Sequence, residues 1–356
     1  MEIRAIDHVE IFVEDAEESA VQLRDGFGFA LAGRGSDSEM RGCESVLLRQ
    51  GEIALLLTSA TSADHQAAEY VRCHGEGVGV IGLRVDDAEA AFADAVARGA
   101  VPVAPPKAFG PDGDRVVFAS VIGFGDVEHR FVSRDDPSGP LAPFIQETGC
   151  GRGGEGLFTR IDHFAVCVPA GTLDETVRRY QEIFGLDQTF EEQIIVGAQA
   201  MGSKVIQSRS ERLTLTILEP DVTREPGQID AFLKAHGGAG VQHVAFLTED
   251  IATAVRRSAD RGVRFLSTPP GYYDMLTPRL GPIGVPVDEL RRLNILADRD
   301  HAGVMLQIFT ESRHPRGTLF YELIDRRGAR TFGSNNIHAL YEAVERQRAS
   351  DPVGLE

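Results

Sequence analysis

The sequence predicts an α+β fold in two similar domains, each reading strand, helix and strands, and then the same again. Three observations predict it: a length above single-domain size, an internal repeat, and a glycine-rich link near the middle. At 356 residues the chain exceeds what one hydrophobic core usually serves, so two domains are expected. The repeat is direct. Ile6-Asp7-His8-Val9-Glu10-Ile11-Phe12-Val13 aligns with Ile161-Asp162-His163-Phe164-Ala165-Val166-Cys167-Val168, and Gly75 to Gly99 aligns with Gly238 to Gly262 without a gap. The link Gly151-Arg152-Gly153-Gly154-Glu155-Gly156 then sets domains at residues 1–150 and 157–356.

Each copy can be followed element by element. The first strand leads into a helical segment that ends at a Phe-Gly pair, Phe27-Gly28 or Phe184-Gly185. The second block opens on Gly-x-Gly-Val, runs through a strand and starts a helix at Asp87 or Asp250. Phe92 and Val96, like Ile251 and Val255, recur at helical spacing and give each helix an apolar stripe. Arg98-Gly99 and Arg261-Gly262 read as helix C-termini closed by glycine. The second copy carries an extra tail, Ser334 to Ala349, patterned as an amphipathic helix.

Bulk properties narrow the function classes. Hydrophobic content of 42% with 25% charge describes an ordinary globular chain. A formal charge of −18 argues against nucleic acid or an anionic membrane as partner. An anionic substrate would need a local positive centre, which a divalent metal supplies. Cys43, Cys73, Cys150 and Cys167 form no CxxC pair and no disulfide framework, so a reducing cytoplasm is expected. The opening Met1-Glu2-Ile3-Arg4 shows no signal-peptide pattern, and no apolar run reaches the ~18 residues of a membrane span.

Three polar residues stand out on strands of the second copy. By period-two alternation His163 shares a face with Ile161, Ala165 and Cys167, His243 with Val241, Ala245 and Leu247, and Glu322 with Phe320 and Ile324. A carboxylate on an apolar face must be paired, protonated or metal-bound. The first copy keeps His8 but has Val80 and Arg130 at the other two stations, so it reads as a metal-free domain. Two imidazoles and one carboxylate form the ligand set of non-haem Fe(II) oxygenases, and zinc can use the same set. A lone strand histidine is more often a satisfied core residue, and His8 alone fits that. His65, His74, His236 and His301 read as surface groups, His314 as a loop residue and His338 as part of the tail helix. Gly75 to Gly79 reads as a turn, since it lacks the phosphate-loop pattern.

Four segments carry a resemblance to a known family: Gly240-Val241-Gln242-His243-Val244-Ala245, Leu306-Gln307-Ile308-Phe309-Thr310, Phe320-Tyr321-Glu322-Leu323-Ile324 and Ala339-Leu340-Tyr341-Glu342-Ala343. With them the whole chain resembles the 4-hydroxyphenylpyruvate dioxygenase family of the vicinal-oxygen-chelate superfamily. The resemblance implies two domains of βαβββ repeats forming open mixed-sheet barrels, the second holding iron under a C-terminal lid helix. It implies Fe(II) on His163, His243 and Glu322, with 4-hydroxyphenylpyruvate and O2 as partners. Oligomeric state stays open.

Within the family one branch hydroxylates the ring to give homogentisate and another hydroxylates the benzylic carbon to give 4-hydroxymandelate. The ring-hydroxylating pattern Pro-x-Asn-Glu-Pro is replaced by Thr216-Ile217-Leu218-Glu219-Pro220, and its Gly-Asn-Phe by Asn335-Asn336-Ile337. Both changes, with Gly197-Ala198-Gln199-Ala200-Met201, resemble the mandelate-forming branch. The expectation is oxidative decarboxylation with benzylic hydroxylation, and homogentisate formation is the alternative. Gln307, Ser203 and Thr216 are then expected to hydrogen-bond the substrate. Phe332 would stack on its ring, and Phe190, Leu218 and Ile337 would wall the pocket. Two other classes fit the scaffold less well: a metal-free binding protein, and an extradiol ring-cleaving dioxygenase.

Overall fold

The structure, a computed structural model, describes residues 1–35, 42–136, 139, 141–142, 144–148, 154–333 and 335–336. The first sheet contains β1 (Ala5–Phe12), β2 (Ala30–Gly35), β3 (Cys43–Gln50), β4 (Ile53–Ala60), β5 (Gly77–Arg84), β6 (Pro102–Phe109), β7 (Val116–Phe124), β8 (Val127–Arg134) and β9 (Gln146–Glu147). The second contains β10 (Arg160–Cys167), β11 (Asp187–Val196), β12 (Gln199–Gln207), β13 (Thr214–Pro220), β14 (Gly240–Leu247), β15 (Leu296–Arg299), β16 (Val304–Phe309) and β17 (Phe320–Arg327). Spatial order is β6-β7-β8-β5-β1-β4-β3-β2-β9 in one sheet and β15-β16-β17-β14-β10-β13-β12-β11 in the other. Apart from β9, one order repeats the other. In each, a central antiparallel pair (β1 with β5, β10 with β14) is flanked by parallel partners.

The helices begin and end as the repeat suggests. Asp87 and Asp250 accept backbone N–H groups of Ala90 and Thr253, a side-chain cap that satisfies an otherwise orphaned donor. Gly28 and Gly185 close the helical segments Ala16–Phe27 and Leu173–Phe184 in the left-handed region, the second through a π-helical last turn.

One detail departs from simple alternation. The β10–β14 register slips between Ile161 and His163, and again at Ala165/Val166, opposite Gln242. The β1–β5 pair slips at the matching places. Each slip is a bulge that sends the chain to the other face. Ile161 and Val241 therefore join the main core with Phe164 and Phe246, and do not share a face with His163 and His243 as period-two reading expects. The bulge leaves Asp162 beside its own histidine.

The main core runs through both halves. Phe27 and Phe29 of the first half meet Phe158, Phe246 and Tyr321 of the second, with ring centroids 5.5 Å apart for Phe27–Tyr321 and 5.6 Å for Phe29–Phe246. The buried Gln50 side chain donates to the Phe27 carbonyl and accepts from the Leu157 and Phe158 amides, tying the halves by hydrogen bonds. His74 and His236 are buried here, not on the surface. Their rings stack 4.4 Å apart, His74 bonds the His236 carbonyl and Asp126, and Tyr70 meets His236. Helix ends placed against one another across the halves created that burial, and a one-dimensional reading does not see it.

His129 gives a pH prediction. It is fully buried between Phe124 and Phe184 and pairs with the Tyr180 hydroxyl at 2.6 Å. Burial pushes its pKa down to about 4, while the unfolded chain keeps its value near 6.5. Between those values the unfolded state binds the extra proton, so stability is full above the unfolded pKa and falls as pH drops toward the folded one. The expected loss from this group between pH 7 and pH 5 is about 2 kcal/mol. Urea unfolding of wild type and His129→Phe at both pH values checks it. An equal acid loss in the two proteins would count against the assignment.

Candidate metal centre

His163 on β10, His243 on β14 and Glu322 on β17 sit on three adjacent strands. The register places Ala245 between His163 and Glu322. Their ligating atoms lie within 4.8 Å of one another, and all three residues are buried. Glu322 Oε2 is 3.3 Å from His163 Nε2 and 3.2 Å from His243 Nε2. One carboxylate oxygen thus faces two imidazole nitrogens at the bottom of a half-barrel.

The next layer fixes this arrangement. Asp162 Oδ1 lies 2.8 Å from His163 Nδ1, so that nitrogen carries the proton and Nε2 offers its lone pair. Arg326 holds Asp162 with two bonds of 2.8 Å. Arg326 in turn lies 4.8 Å over the Phe332 ring, which meets His163 edge-on at 5.0 Å. Phe320 stacks on His243 at 5.0 Å, and Phe309 meets it edge-on. His243 Nδ1 has no partner among the described residues.

The electrostatics describe a site built around a cation. Burial opposes charge on Glu322, but the two imidazoles outweigh it and hold the carboxyl at about 2. Burial likewise opposes charge on His163, yet Glu322 and Asp162 push its pKa up to about 9. Burial lowers His243. The pull on His163 is a negative field waiting for a positive centre, and a divalent ion satisfies it without a proton. Two neutral imidazoles with one carboxylate, on one side of an open cavity, fit a metal that keeps positions free for other ligands.

That cavity measures about 690 Å³ and is lined from β11 round to β16. Strands as far apart in the sheet as β11 and β16 can share one cavity only because the sheet curls. Phe190, Ser203, Thr216, Leu218, Gln307 and Phe332 all line it with the triad. Ile337 and the rest of the tail, including Tyr341, lie outside the described residues. Sequence reading missed Glu192, Gln228 and Gln242, which also line the cavity, and the Asp162–Arg326 pair behind His163. The signal for that pair was present, because Asp7-His8 and Arg134 repeat Asp162-His163 and Arg326. Thr216 Oγ1, Gln307 Oε1 and Glu192 Oε2 are buried without a partner among the described residues, so they retain hydrogen-bonding capacity toward the cavity. Gly333 is required where the chain passes Gln307: its φ is +74° and a Cβ would fall 2.5 Å from Gln307 Oε1. Beyond it, Tyr272 and Arg279 bond Asn336 Oδ1, and Asn335 bonds Asp298, so the start of the tail is anchored.

This fold and site define a class. Residues 5–139 and 160–279 each match the glyoxalase/bleomycin resistance protein/dioxygenase superfamily, to which the chain belongs. Within it the chain is a member of the 4-hydroxyphenylpyruvate dioxygenase family, a group of dioxygenases. It is 32% identical to a probable 4-hydroxyphenylpyruvate dioxygenase 2 of Aspergillus fumigatus over 96% of this chain and 93% of that one. It is 28% identical to the 4-hydroxyphenylpyruvate dioxygenase of Yarrowia lipolytica over 97% and 92%. A triple-substitution variant of 4-hydroxymandelate synthase from Streptomyces coelicolor matches with a TM-score of 0.88 and 42% identity, over 98% of this chain and 100% of that one. Among the described residues no helix is long and apolar enough to cross a membrane.

Proposed function

We propose that this chain is an Fe(II)-dependent 4-hydroxymandelate synthase, converting 4-hydroxyphenylpyruvate and O2 to 4-hydroxymandelate and CO2. In this reading residues 1–150 form a metal-free domain and 157–356 the catalytic one. His163, His243 and Glu322 hold the iron, which supplies binding of the 2-oxo acid and activation of O2. The atoms balance without a further reductant: the substrate's own carboxylate leaves as CO2, and both oxygens of O2 end in 4-hydroxymandelate, one in its carboxylate and one as the benzylic hydroxyl.

The chain's own residues decide where oxygen is delivered. Asp162 keeps His163 in the tautomer that ligates. Thr216 lies in register with Ala165, itself opposite His243, so its hydroxyl faces the substrate near the metal. Ser203, Gln307 and Thr216 hydrogen-bond substrate oxygens. Phe332, Phe190 and Ile337 confine the ring. The tail beyond Ser334 acts as a lid that excludes water.

The observation that carries benzylic over ring attack is the Thr216–Leu218 wall. Threonine offers a donor where the ring-hydroxylating pattern has proline, and Leu218 removes the amide of its asparagine. A ring that is no longer held at that point can shift by about an ångström, and such a shift changes which atom meets a fixed oxidant. Purified protein loaded anaerobically with Fe(II), then given substrate and O2, should yield a proton spectrum with a symmetric para-disubstituted ring and a benzylic CH–OH signal. A three-proton ring pattern would identify homogentisate and sink the proposal. Leu218→Asn should raise the ring-hydroxylated fraction in the same assay.

A further inference from the structure

The first half-barrel encloses a cavity of about 680 Å³, nearly the size of the catalytic one and within the range of small-molecule sites. The strands behind it repeat the metal centre with two exchanges, Val80 standing for the second histidine and Arg130 for the glutamate. His8 Nδ1 lies 2.8 Å from Asp7, and Arg134 pairs with Asp7, as Arg326 does with Asp162. The register pairs Gly82 with Arg130 as it pairs Ala245 with Glu322. Arg130 thus holds the station of the third ligand, and its Nη1 donates to His8 Nε2 at 3.3 Å and to Glu10 at 2.8 Å. A fixed guanidinium stands where the other half would place its metal.

Both contacts use Nη1. The Nε and Nη2 edge of Arg130 makes no hydrogen bond to a described residue, and that edge is the fork that binds a carboxylate through two parallel bonds. Glu10 does not compete for the role, because Thr58 and Arg130 already satisfy it. Burial, with Glu10 nearby, pushes the Glu128 carboxyl up against the pull of Arg130. Around the guanidinium stand three half-buried rings. Phe109, Phe118 and Phe144 meet with centroids 5.7 to 6.3 Å apart, Arg130 lies 5.7 Å over Phe118, and Lys107 lies 4.8 Å over Phe109 at the rim.

We propose that this first half-barrel is a second small-molecule site that takes an aromatic monocarboxylate. The carboxylate docks on the Nε/Nη2 edge of Arg130, Lys107 adds a cation at the mouth, and the ring lies among Phe109, Phe118 and Phe144. The site is independent of which product the catalytic half makes.

The test uses the anaerobic full-length chain loaded with Fe(II) and 4-fluorophenylacetate as probe, followed by fluorine NMR. Saturable binding is expected, weakened about tenfold in Arg130→Met, where a charge-assisted fork is lost. In Lys107→Met, where only an exposed cation goes, a loss of about twofold to fivefold is expected, with kcat and KM for the 2-oxo acid unchanged. Phe332→Ala, in the catalytic cavity, should leave this binding as it is. If Arg130→Met fails to fold with Glu10 left unpaired, Lys107→Met and Phe144→Ala decide. Absence of saturable binding at millimolar probe overturns the proposal. So does binding that Phe332→Ala abolishes while the Lys107 and Phe144 variants leave it intact, since the probe would then occupy the catalytic cavity.

Discussion

Glu322→Gln is expected to lose its metal on dialysis and to lower turnover at least about a thousandfold, a deficit of ~4 kcal/mol or more in the barrier. Glutamine keeps the shape of glutamate but not its charge. The carboxylate is the only anion among the three proposed ligands, and it lies within hydrogen-bonding distance of both imidazoles. Without it a dication would sit among neutral groups in a buried site, an arrangement that costs several kcal/mol. A control separates ligand loss from a general effect of removing acid. Glu192 lines the same cavity but belongs to β11, at the edge of the sheet far from the triad strands. Glu192→Gln should retain full iron content. Metal analysis of both variants after identical dialysis, read beside turnover, checks this. Stoichiometric iron with near-normal rates in Glu322→Gln would remove Glu322 from the centre.

Much of this was legible in the sequence for one reason: the chain is its own comparison. Aligning the two copies located the strands, the helix caps at Asp87 and Asp250, and the three stations of the site, two of which differ between the copies. Register made the same residues neighbours in space, and the apolar neighbours on their strands marked them as buried. The rest was not legible for physical reasons. A bulge adds one residue to a strand and inverts what alternation predicts, which moved Ile161 and Val241 to the opposite face. Burial created between halves, as at His74 and His236, depends on how helices meet and leaves no periodic trace. Glu192 looked like one more acid in an exposed-looking strand. Only the curl of the sheet turns its side chain into the cavity.

Asp162→Asn should weaken metal binding about tenfold to a hundredfold, the range seen when the partner behind a ligating histidine is removed. It should also destabilise the fold by about 3–5 kcal/mol, because Arg326 would be left buried without its counter-charge. The two effects have different origins, and the repeat supplies the means to separate them. Asp7 makes the same pair of contacts in the first half, to His8 and to Arg134, in equally buried surroundings. Among the described residues that half has no such triad, since Val80 and Arg130 take the other two stations. Asp7→Asn should therefore cost comparable stability while leaving metal affinity in the second half unchanged. Urea unfolding of the metal-free proteins measures the first quantity, and competition with a chelator of known affinity measures the second. If both variants lost metal equally, the effect of Asp162 would be general destabilisation and not the orientation of His163. If only Asp162→Asn lost it, the carboxylate acts through its bond to the imidazole Nδ1, holding the ring so that Nε2 keeps its lone pair toward Glu322.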